Sequence, residues 1–210
     1  MPFKKLTRSF YSRRDTLRIA RELLGKLLVV PDQDGSRISG SIVEVEAYMA
    51  PEDKASHAYG NRRTNRTEPM FGKGGVAYVY FVYGMHFQFN VVVHGVNIAH
   101  AILVRALEPH EGIARMEERR RSSGRNLTNG PGKLCQAMGI DLALNREDLT
   151  GNRIWIEDQG RKLTDDEISS GPRIGIDYAE EYRHVPWRFW ITPSHFVSKT
   201  PNPRKGRAKS

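Results

Sequence analysis

AYVYFVYGMHFQFNVVV, residues 77–93, is aromatic and β-branched almost throughout, with Gly84 near its middle. Such residues suit a pleated, half-buried surface. The stretch predicts two strands joined by a tight hairpin around Tyr83, Gly84 and Met85. The strand period of two puts Tyr78 and Tyr80 on one face of the first strand, and Phe81 and Tyr83 on the other. Phe81 and Phe89 read as core. If the tip is exposed, Tyr83 projects from it.

Working outward, the neighbours are also strand-like. AHAILVRAL (99–107) is apolar but for Arg105 and His100, and SRISGSIVEVEAY (36–48) precedes the hairpin. LLVV (27–30) reads as a buried strand before the PDQDG turn. RIWIE (153–157), RIGI (173–176) and WRFWIT (187–192) predict short strands. Helices are predicted in three places. Asp15 is a plausible N-cap for TLRIARELL, where Leu17, Ala20, Leu23 and Leu24 recur at helical spacing and Gly25 is a stop signal. EPHEGIARMEERRR (108–121) is the second, ending in a solvated, mixed-charge turn. GPGKLCQAMG (130–139) is the third, closed by Gly139. Strands in runs, rather than βαβ alternation, favour an α+β domain with a mixed, largely antiparallel, curved sheet flanked by helices.

The 210 residues suit a single domain, assigned to 1–198, with a tail at 199–210. That tail carries five cations and no acid, and reads as disordered. The 33 Lys and Arg against 24 Asp and Glu give +9, a charge that suits a polyanion or simply a basic enzyme surface. Cys135 is the sole cysteine, so no intramolecular disulfide can form. No apolar run reaches the ~20 residues that span a bilayer. MPFKKLTRSFYSRRD has charge but no apolar segment behind it, unlike a secretory signal. The expectation is a cytoplasmic, monomeric protein, nucleoid-associated if bacterial.

The chemistry concentrates on SIVEVEAY. Strict alternation puts Ile42, Glu44, Glu46 and Tyr48 on one face and Val43, Val45 and Ala47 on the other. A half-exposed strand with solvated carboxylates would show the same pattern. Arg105 argues for more, because an arginine within ILVRAL cannot stay dry and unpaired. Glu46 is its obvious partner, and a carboxylate held near an arginine stays ionised and can take a proton from water. No metal or cofactor is expected. The seven histidines form no His-x-x-x-His pair, Cys-x-x-Cys is absent, and FGKGGV lacks the spacing of either nucleotide fingerprint.

EVEAYMAPEDKASHAYG, MFGKGGVAYVYFVYGMHFQFNVVV, ILVRALEPHEG and NGPGKLCQAMGI, in that order, closely resemble the alkyladenine (3-methyladenine) DNA glycosylases of the animal-and-bacterial type. The likeness runs from about Leu24 to Val197. It implies a monofunctional base-excision repair enzyme that flips a damaged purine out of duplex DNA and hydrolyses its N-glycosidic bond with water. By that resemblance Glu46 is the general base, and Arg105 and the backbone carbonyl near Val197 hold the water. Tyr48, His57 and Tyr80 sandwich the base, and Asn90 is a pocket residue that opposes normal guanine. Tyr83 fills the vacated stack from the hairpin in the minor groove, and Met85 and Lys133 lie near the DNA backbone. His86, Gln88 and Met49-Ala50 depart from the family's pattern, which bears on lesion preference. Glu44 takes only a structural reading, as an ion-pair partner, so its replacement should cost far less than that of Glu46.

Two rivals stay open at this level. A non-catalytic DNA-binding protein explains the charge and Tyr83 but not Glu46 beside Arg105. A glycoside hydrolase could use Glu44 and Glu46, ~6–7 Å apart by the strand rise. Its neutral sugar would not call for a basic surface.

Overall fold

The computed structural model describes residues 3–82, 84–192 and 194–198. Tyr83 and the 199–210 tail lie outside them. Nine strands form one sheet among the described residues, and every ladder is antiparallel. In chain order they are β1 (Lys4–Lys5), β2 (Leu27–Pro31), β3 (Arg37–Met49), β4 (Ala77–Val82), β5 (His86–Val93), β6 (His100–Glu111), β7 (Trp155–Asp158), β8 (Ile168–Gly171) and β9 (Arg188–Ile191). The spatial order is β1-β7-β2-β3-β6-β5-β4, and β9 joins β3 to β8. The α+β expectation, with a largely antiparallel sheet, holds.

Among the described residues four α-helices accompany the sheet: α1 (Arg8–Tyr11), α2 (Thr16–Leu23), α3 (Ile113–Arg120) and α4 (Pro131–Met138). Asp15 caps α2 by accepting the Arg18 N–H at 2.9 Å, which satisfies one of the helix's orphan donors. Ile19, Ala20 and Leu23 are buried on one face of α2, and Gly25 ends the segment at φ +78. α4 buries Leu134, Cys135, Ala137 and Met138 against β5 and β6. The main core lies between these helices and the sheet and includes Val45, Ala47, Val79, Phe89, Val91, Ile102 and Val104.

β3 is the central strand. Its first part pairs with β2, residues Glu44 to Glu46 pair with β9, and β6 runs along its other side. The β3–β6 register slips between Ile42 and Glu44 and again between Glu44 and Val45. An irregularity of this kind re-aims side chains that strict alternation would place elsewhere. Ile42 therefore joins Val43 and Val45 in the main core, instead of sharing a face with Glu44.

Three further expectations are corrected. RIGI is not a strand: Arg173 is drawn to Asp53, the Ile174 N–H goes to a side chain, and Gly175 sits at φ +78. EPHE is not helical: it extends β6, with Glu111 opposite Ser39, and α3 starts only after Gly112 at φ +69. Phe81 is not core: it is 47% exposed and packs on Phe87 with ring centroids 5.0 Å apart.

Candidate active site

Beside the second half of β3 lies a cavity of about 510 Å³, lined among others by Tyr48, His57, Tyr80, Asn90, Arg105 and Tyr178. That volume lies in the range of small-ligand sites, which are typically a few hundred Å³. Four of the residues singled out in the sequence as pocket-forming thus meet there, although they come from β3, β4, β5 and the loop after β3. Glu46 stands behind two of them. It is fully buried, and its Oε2 accepts the Tyr48 hydroxyl at 2.8 Å. Its Oε1 accepts the Ile174 N–H at 2.8 Å and lies 3.3 Å from Arg105 Nη1.

Arg105 is buried between two carboxylates. Its Nε donates to Glu44 Oε1 at 3.1 Å, while Nη1 faces Glu46. Burial works against its charge, but Glu46 and then Glu44 outweigh it and raise the pKa above the ordinary arginine value. Tyr48 is held well above the ordinary phenol value, first by burial and then by the Glu46 charge. It therefore remains a protonated donor to that carboxylate.

The aromatic residues form two walls. His57 and Tyr80 are in edge contact, with ring centroids 4.6 Å apart, so no base fits between them. They form one wall, extended by Tyr78 at 5.2 Å from Tyr80, and Tyr48 forms another. One face of Tyr48 is covered by the Arg173 guanidinium, 4.6 Å from the ring centroid. Arg173 makes a fully buried bidentate pair with Asp53 (2.6 and 2.8 Å) and donates to the Ala47 carbonyl at 2.8 Å. Asp53 in turn accepts the N–H groups of Met49 and Ala55. The loop after β3 is thereby fixed against the segment that carries Ile174.

His57 is neutral in this setting. Burial, and then the Arg66 charge, lower its pKa to about 4. The Arg66 guanidinium approaches its Nε2 at 3.3 Å, so Nε2 accepts and Nδ1–H donates to the Tyr78 hydroxyl at 3.0 Å. Arg66 also lies over Tyr80, 4.9 Å from the ring centroid. Gln88 accepts the Tyr80 hydroxyl at 2.6 Å, and buried Asn90 donates to the Tyr78 carbonyl at 3.1 Å. Gln88 thus orients a pocket wall.

The remaining sequence-derived residues lie outside the cavity wall. Met85 is 71% exposed beside the hairpin tip. Lys133 stands on α4 and donates to Asn129 at 2.7 Å, two residues from cavity-lining Pro131. Val197 is half-buried, and the following residue, Ser198, donates to Glu44. Glu44 is an ion-pair partner of both Arg105 and Arg188. Arg66, Arg173 and the Ile174 N–H were missed from sequence. Only the arginine-rich run after His57 offered a signal for Arg66, and no local pattern marked Arg173. No group of three or more His, Cys, Asp or Glu among the described residues could hold a metal ion.

The sequence profile described as methylpurine-DNA glycosylase matches residues 9–195. The chain belongs to that family. Similar curated proteins share the name "Putative 3-methyladenine DNA glycosylase". One from Desulfitobacterium hafniense is 47% identical over 204 residues, covering 93% of this chain and 98% of its own length. One from Bacillus cytotoxicus is 50% identical over 195 residues, covering 88% and 95%. One from Clostridium acetobutylicum is 49% identical over 203 residues, covering 92% and 97%. As a methylpurine-DNA glycosylase family member, this chain is a DNA glycosylase, a hydrolase of base-excision repair. The two-carboxylate sugar site finds no support in the geometry. Glu44 and Glu46 are both fully buried and share Arg105 rather than flanking an open cleft. No helix among the described residues is long and apolar enough to cross a membrane.

Proposed function

We propose that the protein is a monofunctional glycosylase that flips an alkylated or deaminated purine out of duplex DNA into this cavity. It then cleaves the N-glycosidic bond with a water activated by Glu46, leaving an abasic site. The observation that carries this reading is the hydrogen bonding of Glu46. Tyr48 and Ile174 fix the direction of its carboxylate, Arg105 balances its charge, and Oε2 keeps a lone-pair site for a water proton. Arg105 and the Val197 carbonyl complete the water's surroundings.

The walls suit such a base. A purine alkylated on its ring carries positive charge and a weakened glycosidic bond. Tyr48 and Tyr80 offer π faces worth roughly 0.5–2 kcal/mol to a stacked cation. Neutral His57 does not repel it. In this reading Asn90, on the cavity lining, opposes the amino group of normal guanine. Flipping costs a few kcal/mol and least for damaged pairs, which adds selectivity. Tyr83 fills the gap left in the stack, Met85 and Lys133 steady the DNA backbone, and the +9 charge supplies a sequence-independent hold on phosphates. The enzyme acts as a monomer in the cytoplasm. The deciding experiment presents duplex oligonucleotides with a single 3-methyladenine, 7-methylguanine, hypoxanthine or etheno-adenine, followed by alkaline cleavage at abasic sites. Strand breaks at the cationic lesions are the expected result. Their absence with every lesion would refute the reading.

A further inference from the structure

Glu44 is more than a neutralising neighbour. Its carboxylate is fully buried and meets four donors from three parts of the chain. Oε1 accepts Arg105 Nε at 3.1 Å, Ser198 Oγ at 2.8 Å and Arg188 Nη1 at 3.3 Å. Oε2 accepts the Ser198 backbone N–H at 2.6 Å, a short, charge-assisted bond. One side chain thus ties the 194–198 segment to β3, β6 and β9 at the point where Arg105 reaches Glu46.

The Ser198 bond has a directional consequence. A trans peptide is planar, so the Val197 carbonyl points opposite to the Ser198 N–H. Whatever fixes that N–H fixes the carbonyl. The same carboxylate fixes Arg105 through Nε and leaves Nη1 to Glu46. The irregular register of β3 at Glu44 brings both links onto one residue.

We propose that Glu44 is a positioning residue of the reaction, the anchor that holds the Val197–Ser198 peptide and the Arg105 guanidinium in one fixed relation to Glu46. The proposal rests on the glycosylase reading above and extends it to a carboxylate that touches neither base nor water. It reverses the expectation that Glu44 can be replaced at little cost.

Two kinds of measurement test it. The first needs no activity. Amide hydrogen exchange at Ser198 should be slow in the wild-type protein and fast in Glu44→Gln, because the amide cannot offer two acceptor oxygens. Unchanged exchange would overturn the anchor. The second is base release under single-turnover conditions across pH, at saturating lesion duplex. Release by the wild-type protein tests the glycosylase reading on its own, and the variants are compared with it. Glu44→Gln and Glu44→Asp should each slow release about ten- to hundredfold, the scale of a 1 Å misplacement, with the Kd for duplex unchanged.

The pH profiles separate charge from geometry. Glu44→Gln removes a like charge near Glu46 and leaves Arg105 to Glu46 alone. Both changes favour ionised Glu46, so the acidic limb should move to lower pH. Glu44→Asp keeps the charge but shortens the reach, so its limb should stay in place. Ser198→Pro deletes both the N–H and the Oγ donor to Glu44 and should slow release with the limb unmoved. If Glu44→Gln fails to fold, the other two variants still decide. A wild-type rate in either would overturn the proposal.

Discussion

A carboxylate surrounded by fixed donors is a base only while it is ionised, and at Glu46 that condition can be tested directly. Glu46→Gln preserves shape but cannot take the proton. General-base catalysis contributes roughly 10²–10⁴-fold, so single-turnover excision should fall by about that factor. Lesion-duplex affinity should be kept or slightly tightened, since one negative charge leaves the buried cluster behind the cavity. Near-normal excision would remove Glu46 from the mechanism. His57 provides a second test at the same scale. Its pKa is lowered from 6.5 to about 4 in the folded protein, so below pH 6.5 the unfolded chain binds a proton that the folded one does not. Stability should therefore fall as pH drops from about 6.5 towards 4, by an amount of the order of 2–3 kcal/mol. His57→Phe should flatten that part of the curve in denaturant titrations at several pH values. An unaltered slope would show that His57 titrates normally.

At the scale of elements, regular periodicity was readable and departures from it were not. The hairpin strands β4 and β5, the apolar part of β6 up to Leu107, and α2 with its Asp15 cap follow directly from β-branched runs, helical spacing and end signals. Tyr48, His57, Tyr80, Asn90 and Arg105, far apart in sequence, line one cavity. The slipped register at Glu44 has no local signature, because it depends on how β6 and β9 both meet β3. RIGI looked like a strand for a related reason. Its arginine is committed to a partner 120 positions away, which no local window can contain. This commitment makes a prediction about the loop after β3. Asp53→Asn leaves Arg173 buried without its counter-charge, and breaking such a pair costs about 3–5 kcal/mol. The excision rate should fall as well, because Tyr48 and the Ile174 N–H lose their support. Chemical denaturation read alongside single-turnover excision checks both. A loss below about 1 kcal/mol, the scale of an exposed pair, would show that water reaches the guanidinium.

At the scale of the whole molecule, charge rather than shape governs the first encounter with DNA. The excess of nine cations is spread along the chain, and many arginines are already paired with carboxylates, as Arg63 is with Glu68 and Arg115 with Asp32. Net charge therefore overstates the number of phosphates the surface can neutralise. The slope of affinity against salt measures that number, because each neutralised phosphate contributes about −0.9 to the log–log slope. Residues 199–210 hold five cations and no acid, so a chain ending at 198 changes the charge from +9 to +4. If those cations meet phosphates, the truncated chain should show weaker duplex affinity and a shallower slope. Its single-turnover rate at saturating DNA should be unchanged, since no cavity residue is lost. Lys133→Ala should weaken binding alike for lesion and undamaged duplex, and reduce the slope by about one phosphate. Fluorescence anisotropy at a series of salt concentrations, on both duplexes, separates these effects. Equal slopes for the full and shortened chains would place the phosphate contacts on residues 1–198 alone. An affinity independent of salt would refute electrostatic capture altogether.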